Sequence, residues 1–319
     1  DSTNDGSVDS IMFIHGRVSS TQFNVANADG SAVSDLVNPD QDWDIFRAYT
    51  SGQNCRDGSE NTGINASLRN FDTHNNDLDL FSTNTQWNLA YYADAVETSS
   101  LSGISWITEK ENFVNFFTPY LSSHVGVSQR HQGRWDDNAF TISVTTGNAT
   151  GISLPRYAKA QGFQISITDA TSRGMYSWGF ENEISHNIIR GNTTGGNAIV
   201  LNGFPYPTAK AIVYNNILYD FSGSGVRASG GGILRLIYNN TIYGNDYGIY
   251  RSGGNVLSKN NISVNNSSFD YFGVINKENS LSSDATATGT NPYPNATVLF
   301  VNETNRDFRL AAADTAANN

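Results

Sequence analysis

The stretch Tyr238-Asn239-Asn240-Thr241-Ile242-Tyr243 decides the fold, because related phrases occur at three other points of the chain. These are His186-Asn187-Ile188-Ile189-Arg190, Tyr214-Asn215-Asn216-Ile217-Leu218-Tyr219 and Lys259-Asn260-Asn261-Ile262-Ser263-Val264. Aligned on their last Asn, the phrases follow one another at steps of 29, 24 and 21 residues. Such self-similarity indicates a chain that winds the same supersecondary unit again and again.

The aligned phrases also predict which side chains line the interior, because alternate side chains of a strand point to opposite faces. One inner column is predicted to hold Ser185, Val213, Ile237 and Ser258, and a second Ile189, Leu218, Ile242 and Ser263. Ile199, Val226 and Ile249 align further along and predict a third. Each coil should therefore place three short strands around one apolar interior.

The last Asn of each phrase is predicted to lie at a tight bend between two strands. Asn tolerates left-handed backbone angles and forms hydrogen bonds with nearby backbone groups. Stacked coil upon coil, these side chains are expected to form a ladder. Its predicted members are Asn187, Asn216, Asn240 and Asn261.

The rest of the chain alternates short strand-like runs with Gly, Asn and Asp turns, which favours an all-β fold. The best helix candidate is the stretch from Glu109 to Phe117. We expect an N-terminal cap segment over residues 1–40, a parallel β-helix over 41–290 and a C-terminal partial coil or cap over 291–319. The sequence begins with Asp1 rather than Met, so we expect a processed or excised polypeptide.

Charge and hydropathy narrow the range of partners. The 319 residues carry a formal net charge of -11, and an acidic surface repels phosphate backbones and anionic lipids. We therefore expect no nucleic-acid partner. A membrane span is not predicted either, because no apolar run is long enough to form one.

The phrases around Asn216, Asn240 and Asn261 resemble coils of the right-handed parallel β-helix of the pectin-lyase-like superfamily. The run from Asn240 to Tyr250 is similar to a consensus coil, and Asp307-Phe308-Arg309-Leu310 is similar to a phrase near the last coils. The strong similarity covers residues 180–275. The resemblance implies an all-β, single-stranded right-handed parallel β-helix (solenoid) with an irregular N-terminal segment. It also implies a carbohydrate ligand, since many relatives cleave or bind acidic polysaccharides.

One cluster could carry the chemistry of such relatives. The stretch from Gln129 to Asn138 is the densest polar and aromatic cluster in the chain. It contains a possible acid, base and stacking ring. The predicted catalytic residues are Asp136, Asp137, Arg130, Arg134 and His131. The alternative is an exposed loop held by Arg–Asp pairs, and the Gly-His-Gly and Arg-x-Lys motifs of the family's glycosidases do not occur.

A weaker pattern concerns metal binding. Family lyases use Ca²⁺ held by clustered Asp, and Asp77 and Asp79 are spaced to share one strand face. Two carboxylates with backbone oxygens suit Ca²⁺. The alternative is a pair of solvated turn charges. No other cofactor is predicted.

The outward-facing columns predict a binding surface. His186, Tyr214 and Tyr238 precede the Asn bend, Tyr219 and Tyr243 follow it, and Arg227 and Tyr250 fall in a third column. Tyr strips suit stacking on sugar rings or on another protein. The alternative is that stacked Tyr side chains simply stabilise the sheet.

Asn-x-Ser/Thr sequons predict possible glycosylation, provided that the host exports and glycosylates the chain. The candidates are Asn65, Asn148, Asn192, Asn239, Asn261, Asn265, Asn266, Asn295 and Asn302.

Two functions are compatible with the sequence. The favoured one is an extracellular, cell-surface or virion-surface protein that acts in attachment or as a structural or filament subunit and contacts a polysaccharide or cell-surface glycan. Because the terminal coils of a solenoid expose strand edges, we expect self-association through them. The alternative is a polysaccharide lyase or glycoside hydrolase.

Overall fold

A computed structural model describes residues 11–19, 21–27, 30–33, 44–69, 79–101, 106–121, 124, 129–178, 181–203, 209–274 and 276–317. The chain divides into two units. Unit 1 comprises residues 1–78 and 119–128, and unit 2 comprises residues 79–118 and 129–319. The predicted metal ligand Asp77 lies outside the described residues.

Unit 1 contains short, irregular elements. An antiparallel hairpin pairs β1 (Phe13–Arg17) with β2 (Phe23–Ala26). A helix, α1, runs over Gly52–Arg56 and is capped by the Ser51 hydroxyl, which accepts the Asn54 N–H. A 3-10 turn follows at Ala66–Leu68. The strands β1 and β2 confirm the prediction of an irregular N-terminal segment, whereas α1 and the 3-10 turn lie in the range predicted to be parallel β-helix.

Unit 2 is a parallel β-helix of about 7 turns, built from three parallel sheets. Strands are numbered along the chain. Within the described residues, the first sheet contains β3 (Trp87–Ala90), β4 (Val114–Phe117), β7 (Lys159–Gln161), β10 (Asn182–Ser185), β13 (Lys210–Tyr214), β16 (Leu234–Tyr238), β19 (Asn255–Lys259) and β22 (Asn276–Glu278). The predicted helix near Glu109 is wrong, since Glu109 and Asn112 form a turn and β4 follows it.

The other two sheets complete each coil. The second sheet, in the described part of the chain, contains β5 (Thr141–Val144), β8 (Gln164–Ile167), β11 (Ile188–Arg190), β14 (Ile217–Tyr219), β17 (Thr241–Tyr243), β20 (Ile262–Val264) and β23 (Leu281–Ser282). The third, counted in the same way, contains β6 (Thr150–Leu154), β9 (Arg173–Ser177), β12 (Asn197–Gly203), β15 (Ser224–Gly230), β18 (Tyr247–Arg251) and β21 (Phe269–Phe272). The predicted parallel β-helix is thereby confirmed.

The interior is a stack of mainly aliphatic side chains, to which every sheet contributes at least one column. Val213, Leu218 and Val226 of one coil are fully buried, as are their partners in neighbouring coils. Each such side chain contributes roughly 1.5–3 kcal/mol on burial. One predicted member was misplaced: Ile184, not Ser185, is in register with Val213, and Ser185 is in register with Tyr214.

The bend between the first and second sheets uses the two Asn residues of each phrase differently. The first Asn has left-handed backbone angles, with φ of 55° at Asn215, 56° at Asn239 and 52° at Asn260. His186 takes this place in its own coil, with φ of 57°. The prediction had assigned the left-handed angle to the second Asn, whose task is instead performed by its side chain.

The second Asn of each phrase forms a ladder along the helix. The Asn216 side-chain oxygen accepts the Asn187 backbone N–H at 3.0 Å and its side-chain N–H at 2.9 Å. Asn240 accepts from Asn216, and Asn261 accepts from Asn240, in the same way. The four side chains are buried. The ladder gives their N–H groups acceptors, and leaving such groups buried without a partner would be costly.

A second ladder lies at the bend between the second and third sheets. Asn245 accepts the Phe221 N–H at 3.1 Å, and Asn266 accepts both the backbone and side-chain N–H of Asn245 at 3.0 Å. The ladder ends on the carboxylate of Asp270, which also accepts from Ser283 and the Asp284 backbone. Burial raises the pKa of Asp270.

The outer face of the second sheet is covered by the C-terminal hairpin, formed by β24 (Phe300–Asn302) and β25 (Asp307–Leu310). Phe308 packs against Tyr219 and Tyr243, at ring-centroid distances of 5.2 and 4.7 Å. Arg306 forms an ion pair with Asp220 at 2.8 Å. This part of the C-terminal segment therefore covers the side of the helix.

The interior becomes polar towards the C-terminal coils. Ser258, Ser263, Ser280 and Ser282 are buried there. Lys277, in register with Ser258, is 6% exposed and its amino group donates to the Val274 carbonyl. Burial lowers the pKa of Lys277.

Arg235 is a buried cation within the stack, in register with Ala211 and Val256. Its guanidinium donates to the carbonyls of Ser229 and Gly253. Burial lowers the pKa of Arg235 to about 10.

Candidate functional site: a cleft on the outer face of the third sheet

The predicted catalytic residues lie on a loop between β4 and β5, where their polar groups bind the surrounding framework. His131 donates from Nε2 to the His186 carbonyl at 2.8 Å, and its Nδ1 accepts the Gly133 N–H at 3.2 Å. This arrangement uses both ring nitrogens of a neutral imidazole. Burial lowers the pKa of His131 to about 4, so the ring is neutral at pH 7.

The other members of this loop are held in the same way. Arg130 donates to Thr118 at 3.4 Å and to the Gln161 carbonyl at 3.5 Å. The Asp136 backbone exchanges hydrogen bonds with the Gln164 amide, and the Asp137 carboxylate accepts the Trp135 indole N–H at 2.9 Å. The Trp135 ring lies 3.6 Å from the Arg190 guanidinium. We name residues 129–140 the clasp loop, because these contacts fasten it across neighbouring coils.

Arg134 is exposed on the clasp loop, and the pKa of Asp307 is lowered chiefly by the Arg309 hydrogen bond, with a smaller contribution from the positive charge of Arg134. Asp136 accepts from Asn138 within its own turn at 3.0 Å. The described contacts fasten this loop through backbone, aromatic and amide partners, and its catalytic role stays a prediction.

The weakly predicted metal site has one described member. Asp79 accepts the Ser82 N–H at 3.0 Å, as a turn residue does. Among the described residues, no three His, Cys, Asp or Glu side chains come together in a way that could hold a metal ion.

The Tyr column of the second sheet is covered rather than exposed. Tyr219 is 2% exposed beneath the C-terminal hairpin, and burial raises the pKa of its hydroxyl to about 12. The Tyr243 hydroxyl donates to Glu303 at 3.0 Å. Neither ring forms the open strip that the sequence predicted, because Phe300 and Phe308 occupy that face.

The Tyr column of the first sheet stacks on itself. The ring centroids of Tyr214 and Tyr238 lie 5.1 Å apart and the ring planes are 11° from parallel, so one face of each ring packs against the other ring. His186 packs edge-on against Tyr214 at 5.5 Å, and the Tyr214 hydroxyl donates to Glu183. These contacts correspond to the alternative role, in which stacked rings stabilise neighbouring coils.

The third predicted column lies on the outer face of the third sheet. Arg227 is exposed, in register with Tyr250 of the next coil and 5.9 Å from its ring. The same register runs back through Val200 to Tyr176 and on to Phe272. The sequence pattern had identified Arg227 and Tyr250 of this column, and Tyr176 lies on a coil without the Asn phrase.

A cleft of about 480 Å³ opens at the Tyr176 end of this column. Its lining combines aromatic, apolar, hydroxyl and guanidinium groups. The lining residues are Thr150, Ser153, Leu154, Pro155, Arg173, Tyr176 and Trp178. We name it the Trp178 cleft.

The rings of the cleft are fixed by their neighbours. Tyr176 and Trp178 meet edge to face at 4.8 Å, and the Arg173 guanidinium lies 5.0 Å from the Tyr176 ring. The Asn202 side chain donates to the Tyr176 hydroxyl at 2.9 Å. Trp178 nevertheless remains 44% exposed. The cleft thus presents a large apolar ring next to positioned polar groups.

The sheet that carries the cleft is positively charged within an acidic protein. The six described strands of the third sheet contain Arg173, Arg227 and Arg251, and their one carboxylate, Asp270, is fully buried. A face of this kind attracts anionic groups.

The sequons differ in accessibility. Asn261 is buried, and its side-chain nitrogen donates to the Ile237 carbonyl and the Ser258 hydroxyl, so the fold leaves no room for a glycan there. Asn266 belongs to the second ladder. The remaining candidates are exposed, and they are Asn65, Asn148, Asn192, Asn239, Asn265, Asn295 and Asn302.

Comparison with known proteins gives no relatives: no family model, no curated protein and no solved structure matches the chain. Within the described residues, no helix has the length and apolar character needed to cross a membrane.

Proposed function

We propose that this protein binds polysaccharide through the Trp178 cleft and serves in attachment, as an extracellular, cell-surface or virion-surface protein. The observation that carries the proposal is the exposed Trp178 ring, held beside Tyr176 and Arg173 in a cleft with hydroxyl groups. An aromatic ring offers an apolar face to a sugar ring, while nearby polar groups fix its orientation.

The ligand class follows from charge. Arg173 lies in the cleft, and the described strands of this sheet present no exposed carboxylate. A guanidinium binds carboxylate and sulfate groups through charge-assisted hydrogen bonds. We therefore assign an acidic polysaccharide to the cleft. The three-sheet coil and its Asn ladder also support membership of the pectin-lyase-like superfamily, as part of the same proposal.

A binding assay tests the cleft. The protein is titrated by calorimetry with the acidic polysaccharides polygalacturonate, alginate and heparin, and with neutral glucomannan. We expect at least one acidic polymer to bind, with Trp178→Ala weakening its affinity about tenfold or more, since aromatic contacts dominate such sites. Arg173→Gln should weaken acidic polymers more than neutral ones. Tyr293→Ala, which removes an exposed ring outside the cleft, is the matched control.

The same samples distinguish attachment from catalysis. Product release is followed by ultraviolet absorbance for lyase action and by reducing ends for hydrolysis. Binding without product supports the proposal. Turnover that Asp137→Ala abolishes would instead establish the enzymatic alternative, and binding unaffected by Trp178→Ala would exclude this cleft.

A further inference from the structure

Four aromatic rings form an exposed cluster on the third sheet, far along the helix from the Trp178 cleft. We name Tyr247, Tyr250, Phe269 and Phe272 the distal patch. Phe269 and Phe272 are 42% and 39% exposed. Tyr250 and Phe272 stack at 5.1 Å and 3° from parallel, and Tyr247 meets both of them within 5.6 Å. Such clustered exposed rings mark an interaction site more often than scattered ones do.

The distal patch is aligned with the cleft. The strand register runs from Tyr176 through Val200, Arg227 and Tyr250 to Phe272. Strands of adjacent coils lie about 4.8 Å apart, so four coil steps separate Tyr176 from Phe272 by about 19 Å along the helix axis. Val200, between them, is only 7% exposed. The two exposed parts therefore form separate contact points on one line.

Each end of this line has an arginine side chain. The exposed Arg227 guanidinium lies beside the distal patch, as Arg173 lies within the cleft. Asp270, the one carboxylate on the described strands of the sheet, is buried. Arg227 attracts an anionic chain to the distal patch, where its charge acts against that of Asp246, a partly exposed carboxylate that accepts from Ser267 and Ser268.

We propose that the distal patch is a second subsite for the same linear polysaccharide, which lies parallel to the helix axis and contacts the Trp178 cleft and the distal patch together. This inference rests on the proposed function and extends it to a minimum ligand length. Once a long chain is bound at one subsite, its second contact is intramolecular and occurs at a high effective concentration, which raises the affinity. A chain too short to reach both subsites does not gain this affinity.

The test compares oligogalacturonates of two lengths by calorimetry. We expect the decasaccharide to bind about 100-fold more tightly than the trisaccharide, because it reaches both subsites. The double variant Tyr250→Ala/Phe272→Ala should remove most of this difference while leaving the trisaccharide affinity unchanged. Arg227→Glu should have the same selective effect, and Tyr293→Ala should have none.

The possible results separate the two proposals. Trisaccharide binding that Trp178→Ala abolishes, with no gain for the decasaccharide, overturns the second subsite and leaves the cleft standing. Absence of binding by either length overturns both for this acidic polymer. A decasaccharide advantage that survives both distal variants also overturns the second subsite. Melting curves check that each variant remains folded, and a variant that unfolds is replaced by Phe272→Ser alone.

Discussion

The two Asn residues of each repeat have separate physical tasks. Asn215 accepts a left-handed backbone angle, while Asn216 uses its amide to connect three coils. A left-handed angle is easily taken by Gly, so the first position is replaceable. The amide at the second position is not, because its oxygen accepts two donors and its nitrogen donates to the carbonyls of Ile184 and Tyr214.

A pair of substitutions tests this division. We expect Asn216→Ala to lower the free energy of unfolding by about 3 kcal/mol, because it leaves several buried groups without partners. Asn215→Gly should change it by less than about 1 kcal/mol. Urea unfolding followed by circular dichroism measures both. Similar effects at the two positions would contradict the assignment of the ladder to the second Asn.

His131 gives the clasp loop a predicted pH dependence. Its folded-state pKa, about 4, lies below the ordinary value of 6.5, so the unfolded chain binds more protons between these pH values. The stability contributed by neutral His131 is therefore present above pH 6.5 and lost as the pH falls towards 4. The loss is about 3 kcal/mol at most.

The measurement compares the wild type with His131→Gln, whose amide can still donate to the His186 carbonyl but does not titrate. Unfolding free energies are determined across this pH range. His186, whose pKa burial also lowers, is present in both proteins. Identical pH profiles would show that His131 is not the responsible group.

At the scale of elements, the C-terminal hairpin explains why the Tyr219 strip was predicted wrongly. Alternation in β14 and β17 correctly indicates that Tyr219 and Tyr243 point away from the interior. It contains no information about a segment that returns to cover them from residues 300–310. The periodic part of the fold follows from local sequence, whereas lateral cover depends on contacts between distant segments.

Removal of one hairpin ring tests the importance of this cover. Phe308 is 4% exposed and contacts Tyr219, Tyr243 and Phe300. We expect Phe308→Ala to cost about 3–5 kcal/mol of stability and to increase binding of a hydrophobic dye. Val301→Ala, at a side chain that is 51% exposed, is the control. Thermal unfolding of both variants provides the comparison, and equal melting temperatures would show that the hairpin is dispensable.

The candidate cleft was missed for a related reason. Trp178 follows β9, a strand of a coil in which Gly162 and Phe163 take the places of the Asn pair. The alignment of the Asn phrases therefore began at the Asn187 coil and did not include the preceding coil, which carries Trp178. Strand β9 carries the outward-facing Arg173 and Tyr176. Only the register of Tyr176 with Val200 and Arg227 shows that this strand continues the outward column of Arg227 and Tyr250.

On the scale of the whole molecule, we expect the polar interior of the C-terminal coils and their paired edge to limit end-to-end stacking. Ser258 and Ser263 line one coil and Lys277 the next, and Thr290 and Tyr293 pair with the edge of that second coil at Glu278 and Leu281. Inward-pointing charges also discourage pairing at strand edges. The proposed self-association through helix ends should therefore be disfavoured at this end.

Lys277→Leu tests that expectation. Removing a buried cation should raise the free energy of unfolding by about 1 kcal/mol or more, and the more apolar end should promote association. Thermal unfolding and light scattering are measured together. Glu278→Gln, on the outward side of the same strand, is the control. A variant that is less stable and equally monomeric would show that Lys277 stabilises the end instead.

The Asn ladder also predicts an order of assembly during synthesis. Each bend N–H finds its acceptor on the coil that follows it in the chain: Asn187 on Asn216, Asn216 on Asn240, and Asn240 on Asn261. A coil leaving the ribosome therefore keeps an unmet donor at its bend until the next coil has emerged. Nascent chains halted after residue 216 should lack the rigidity that chains halted after residue 261 possess.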